Sequence, residues 1–141
     1  MDLISLGALA IICIILIVSL VRFIRGGKME LRGRQFSIEI FYTLLLIYST
    51  VILGFGLIYF ILSFHHIMLV ENGELRQVSV WGSLIHSIYF SGVTLLTIGY
   101  GDITPIGIGR FIALIEALIG YILPTAFVLR LVQSRQMDRE Q

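Results

Sequence analysis

The amino-acid sequence predicts an all-α membrane protein with three spanning helices and a re-entrant segment between the second and third. Three observations carry this. Hydrophobic residues fill 57% of the 141 positions and charged ones only 13%, and the mean hydropathy is +0.98, far from the balance of a soluble domain. The charges are excluded from long apolar runs and gathered between them. One further run without acid or strong base, Gln77 to Gly101, holds too many glycine, serine and threonine residues to face lipid along its length.

The first element is an N-terminal transmembrane helix within residues 1–25. Leu3 to Val21 is uncharged, and at about 1.5 Å per residue it spans roughly 28 Å, close to the hydrocarbon thickness. The positive charges follow this run rather than precede it, the reverse of a secretory signal peptide. The single cysteine, Cys13, sits inside it, so no disulfide closes within the chain; its expected role is that of a small apolar side chain.

Residues 26–39 form a basic linker. Arg22, Arg25, Lys28, Arg32 and Arg34 crowd this region with Glu30 the one acid among them, which places it on the cytoplasmic side. Arg22, Arg25 and Lys28 have the three-residue spacing of a voltage-sensing helix. Gly26 and Gly27 interrupt it, and the charges are too few for that role.

An outer helix is predicted over 40–64, since Ile40 to Phe64 is uncharged and long enough to span with tilt. An external loop follows over 65–80, with Glu71-Asn72-Gly73-Glu74 as a turn. His65 and His66 are expected to be a solvated helix end rather than a metal or pH site. A short helix over 83–95, capped by the Ser83 hydroxyl, then delivers an extended loop. The inner helix is predicted over 106–132, with Glu116 the one charge between Arg110 and Arg130, and residues 133–141 form a cytoplasmic tail. In this arrangement eight basic residues lie inside and only Arg76 and Arg110 outside, so the N-terminus is extracytoplasmic and the C-terminus cytoplasmic in the cell membrane.

The segment Thr94-Leu95-Leu96-Thr97-Ile98-Gly99-Tyr100-Gly101-Asp102 resembles the signature of the potassium-channel pore-domain family. The relevant type is the small prokaryotic one with two transmembrane helices, here with an extra N-terminal helix. The resemblance covers residues 40–132. It implies a tetrameric channel in which Thr97, Ile98, Gly99, Tyr100 and Gly101 from each of four copies replace the hydration shell of K+ with carbonyl oxygens. The physical demand is that consecutive carbonyls point one way, whereas a strand alternates them. Gly99 and Gly101 meet it because glycine adopts φ > 0 at little cost, so the carbonyls of Thr97, Ile98, Gly99 and Tyr100 can face one axis and bind K+. The Thr97 hydroxyl adds an inner oxygen layer. Ile98 and Tyr100 are expected to turn away and pack on the short helix, whose C-terminal dipole favours a cation at the membrane centre.

The resemblance also implies that Tyr89 and Phe90 buttress the filter and that Tyr89 bonds Asp102. The glutamate that some relatives pair with this acid is replaced here by Val93. Gly120 stands where the family's inner helix commonly bends, and Pro124 withholds the N–H that would reach the Gly120 carbonyl. Gly120 to Pro124 is therefore a candidate hinge. Gly120, Pro124, Val128 and Val132 recur every four residues, which makes Val128 and Val132 candidates for an apolar gate. Glu116 is expected either to brace the back of the short helix near Thr94 or to sit neutral in the interior.

Transport is passive, and no nucleotide loop or nucleophile–base pair suggests an enzyme. Apart from K+ held in the filter no cofactor is implied. The expected partners are membrane lipid and three further copies, with no nucleic acid; the tail after Val132 is too short for a regulatory domain, so such control is expected from the bilayer, a separate chain or residues beyond this sequence. The rival classes are a weakly selective cation channel, which usually departs at the Tyr100-Gly101 positions, and a pore-loop subunit of a potassium-uptake transporter.

Overall fold

The computed structural model describes residues 3–25, 36–71 and 79–137, with side chains placed over 3–22, 41–71 and 79–129. Most of the basic linker expected over 26–39, the 72–78 part of the external loop, the side chain of Val132 and residues 138–141 lie outside these described parts.

Among the described residues four helices and two short strands follow one another: α1 Leu3–Arg25, α2 Phe36–Ser63, β1 Leu69–Glu71, α3 Val80–Leu95, β2 Ile103–Pro105 and α4 Ile108–Met137. Stretches within α1, α2 and α4 are long and apolar enough to cross a membrane: Leu3–Arg22, Phe41–Ser63 and Ile108–Leu129. The chain is thus a multi-pass membrane protein, mostly helical, with a short helix between the second and third spans.

Two glycines two residues apart give α2 two working faces. A β-carbon on Gly54 would come within 2.5 Å of Leu16 Cδ2, so α1 docks there through Leu16, the one buried side chain among its described residues. On Gly56, about 200° around the helix, a β-carbon would come within 2.9 Å of the Ile88 Cα, so α3 lies on that side. The core sits where α2, α3 and α4 converge, around Val51, Phe55, Tyr59, Phe90, Leu95 and Leu123. Tyr59 and Phe90 meet edge to face with centroids 5.1 Å apart, a geometry that adds to their area burial.

Several boundaries differ from the sequence expectation. Helix α3 begins at Val80 rather than Ser83, because the Ser79 side chain accepts the Gly82 N–H at 3.2 Å and serves as the N-cap. Ser83 instead meets Ser63 across to α2, with the two hydroxyl oxygens 3.3 Å apart. Helix α4 starts at Ile108, after Gly107 turns the chain at φ 53°, and continues unbroken through Pro124 to Met137, five residues beyond the expected end.

The fold is also not purely helical. Strands β1 and β2 pair antiparallel with Leu69 opposite Pro105, Val70 opposite Thr104 and Glu71 opposite Ile103. The Ile106 N–H extends the ladder to the Met68 carbonyl at 2.9 Å. Gly109 admits this carbonyl, since a β-carbon there would lie 2.9 Å from it. The ladder fastens the exit of α2 to the chain just after Asp102.

Candidate functional site

Helix α3 ends in a Schellman motif, and the candidate loop starts from it. The Thr97 N–H bonds to the Thr94 carbonyl at 3.0 Å and the Ile98 N–H to the Val93 carbonyl at 2.8 Å, while Thr97 takes φ 56°. The left-handed position of this motif is ordinarily filled by glycine; here a β-branched residue holds it, at a steric cost of about 1–2 kcal/mol. Gly99 follows at φ 59° and Gly101 at φ 79°, whereas Ile98 and Tyr100 stay out of the left-handed region. From 97 to 101 the backbone therefore changes hand at every residue. A β-carbon on Gly99 or Gly101 would meet nothing within 4 Å. Dihedral freedom, rather than crowding, is what these positions require of glycine.

The loop is tied down at its far end. Tyr89 Oη donates to Asp102 Oδ2 at 2.8 Å, the contact implied by the family resemblance. This hydrogen bond holds the Asp102 carboxyl below the usual carboxylate range, helped by backbone N–H groups and by the nearby His86. The same bond, with Asp102's negative charge adding to it, pushes the Tyr89 phenol up.

Phe90, beside Tyr89 in the chain, is buried in the core against Tyr59. The Ile98 and Tyr100 side chains are 48% and 70% exposed on the single chain.

Glu116 is fully buried and meets Ser91, not Thr94: its Oε1 is hydrogen-bonded to Ser91 Oγ, and its Oε2 accepts from Tyr59 Oη at 2.8 Å. Neither Tyr59 nor Ser91 carries a sequence signal for this role, because the partners lie far apart in the chain. The Thr94 carbonyl is engaged by the loop itself.

Gly120 packs directly against the last residue of α3, and a β-carbon there would overlap the Leu95 carbonyl oxygen. Its own carbonyl, deprived of an N–H by Pro124, receives the Tyr48 hydroxyl at 3.4 Å. Pro124 and Val128 are exposed on α4.

Three membrane-length helices, with a loop of alternating hand launched from a short helix between the last two, define a membrane protein of the ion-channel class. The chain belongs to an ion-channel family, whose model ("Ion channel") matches residues 47–134 and so spans most of α2, all of α3, the loop and most of α4. This supports the potassium-channel pore-type family indicated by residues 94–102. The chain is similar to Protein LctB of Bacillus caldotenax, with 42% identity over 99 residues, and to Protein LctB of Geobacillus stearothermophilus, with 43% over 100. Each match covers 70% of this chain and 74% of the relative. No solved structure matches the chain significantly.

Proposed function

We propose that this chain is one subunit of a homotetrameric, potassium-selective channel in which Thr97 to Gly101 from four copies form the conduction filter. The observation that carries the reading is the change of backbone hand at every residue from Thr97 to Gly101. A strand of constant hand sends successive carbonyls to opposite sides. Alternating hand turns them to a common side, which gives a cation a column of oxygens to replace its water.

In this reading α3 is a re-entrant pore helix that enters from outside, α2 and α4 are the outer and inner helices, and α1 packs on the rim. The exposed Ile98 and Tyr100 side chains find their cover on a neighbouring copy. The ion-channel family supports permeation, and the basic residues after α1 and in the second half of α4 support a cytoplasmic C-terminus.

The test is a flux assay on the purified chain in liposomes. A potassium gradient should drive radioactive rubidium uptake, a sodium gradient should not, and Gly99→Ala should abolish uptake. Equal uptake under either gradient would favour a weakly selective cation channel, and no uptake in any condition would contradict the reading.

A further inference from the structure

Three helices meet at one carboxyl group. Glu116 of α4, Ser91 of α3 and Tyr59 of α2 are all fully buried. Tyr59 Oη donates to Glu116 Oε2 at 2.8 Å. Ser91 Oγ donates to the main-chain carbonyl of Ile52, in α2, at 2.9 Å and also lies in hydrogen-bond contact with Glu116 Oε1.

These contacts need three protons, and the two hydroxyls supply only two. A carbonyl oxygen has no proton to give, so the Ser91–Ile52 contact consumes the single serine hydroxyl proton. The tyrosine proton fills the contact to Oε2. The contact between Ser91 Oγ and Oε1 remains, and the one group able to fill it is the carboxyl itself.

Among the described residues no cation offers an alternative. The described side chains of α2 include no lysine or arginine, and α3 has none. His86 of α3 acts on Asp102, Tyr48 of α2 donates to the Gly120 carbonyl, and Arg110 of α4 donates from Nε to the Pro105 carbonyl at 3.2 Å. On α2's other face, α1 meets it through Leu16.

We propose that Glu116 serves as an uncharged carboxylic acid that positions α3. Its proton goes to Ser91 Oγ, the Ser91 proton goes to the Ile52 carbonyl, and the Tyr59 proton goes to Oε2. One unbroken chain of donors then runs from α2 through α4 and α3 back to α2. This rests on the channel reading above, because α3 matters as the carrier of the loop from Thr97 to Gly101. Loss of the carboxyl proton would leave one serine hydroxyl between two acceptors, so that either Oε1 goes unpaired in a site closed to water or the Ile52 carbonyl is left with its helical N–H alone and α3 loses its bond to α2. Glutamine reproduces the pattern of the neutral acid, with Nε2–H donating to Ser91 and its oxygen accepting from Tyr59. Alanine does not.

Infrared spectroscopy of the full-length protein in lipid at neutral pH tests the proton assignment. A carboxylic-acid C=O stretch should be present in the wild type, absent from Glu116→Gln and shifted in Ser91→Ala. A wild-type spectrum with no such band removable by Glu116→Gln overturns the proposal, whatever the protein conducts. Bilayer recordings test the positioning. Glu116→Gln should keep the wild-type potassium-over-sodium permeability ratio within about twofold, and Glu116→Ala should lower it at least tenfold. Loss of selectivity in Glu116→Gln, or its full retention in Glu116→Ala, would overturn the positioning role. If the band behaves as expected but the wild type itself lacks potassium selectivity, the channel reading and the positioning role resting on it fall, while the proton assignment stands.

Discussion

The Tyr89 hydroxyl donates to the Asp102 carboxylate at 2.8 Å, so helix α3 grips both ends of the loop it launches. One end is the Schellman turn at Thr97, and the other is the residue after Gly101. Removing the phenol hydroxyl in Tyr89→Phe frees the far end while leaving the near one intact.

The pH dependence of this grip follows from the two shifts. Asp102 titrates lower in the folded state because Tyr89 donates to it, so its contribution is complete above the ordinary aspartate range and is lost as pH falls through the lowered value. Tyr89 titrates higher, so its contribution is complete below the ordinary phenol range and is lost as pH rises through the raised value. In Tyr89→Phe the Asp102 carboxyl should move up toward its ordinary value. Nuclear magnetic resonance titration of the Asp102 carboxyl carbon checks this, and an unchanged midpoint would contradict it.

Thr97 carries a conformation ordinarily left to glycine. Thr97→Gly should relieve about 1–2 kcal/mol of steric cost, partly offset by about 0.5–1 kcal/mol of chain entropy. Thermal unfolding should therefore show a small net gain in stability. If Thr97 to Gly101 form the proposed filter, selectivity should fall because the Thr97 hydroxyl oxygen is gone, whereas Thr97→Ser should keep it. A Thr97→Gly protein that is both less stable and as selective as the wild type would refute the assignment.

The spans were legible in the sequence because lipid imposes a length and a polarity on every crossing helix, and Leu3 to Val21 or Ile40 to Phe64 can satisfy both in only one way. Gly99 and Gly101 were legible because a positive φ selects glycine locally. Thr97 gave no such signal, since its left-handed turn is imposed by the helix end and the loop together. Ser79 and Ser83 both carry a hydroxyl able to cap a helix, and only the turn they start from decides that Ser79 is the one that accepts the Gly82 N–H. The β1–β2 ladder is three residues per strand, too short for an alternating pattern to emerge. The partners of Glu116 depend on how three helices cross, which no local pattern encodes.

Pro124 leaves the Gly120 carbonyl without its usual N–H, and the Tyr48 hydroxyl takes that place. Tyr48→Phe should cost about 0.5–1 kcal/mol, the scale of an interhelical hydrogen bond in a membrane. In a Pro124→Ala background the restored N–H satisfies the carbonyl, and the cost of Tyr48→Phe should approach zero. A double-mutant cycle on unfolding free energy measures this coupling; equal costs in both backgrounds would contradict it.

Gly120 opens the candidate hinge that runs to Pro124, and its contact with the Leu95 carbonyl gives it a packing role as well. Alanine there would gain about 1 kcal/mol of helix propensity but force α4 away from the end of α3, at about 1–3 kcal/mol for overpacking. The packing cost should win, so Gly120→Ala should lower the thermal midpoint. A raised midpoint would mean that α4 yields without loss.

The central claim is that backbone oxygens from Thr97 to Gly101 select potassium. The most direct measurement is the zero-current voltage of the reconstituted protein in a planar bilayer with potassium on one side and sodium on the other. The account predicts a voltage driven toward the potassium equilibrium potential, and Gly99→Ala should remove the current. A zero-current voltage near zero would contradict it.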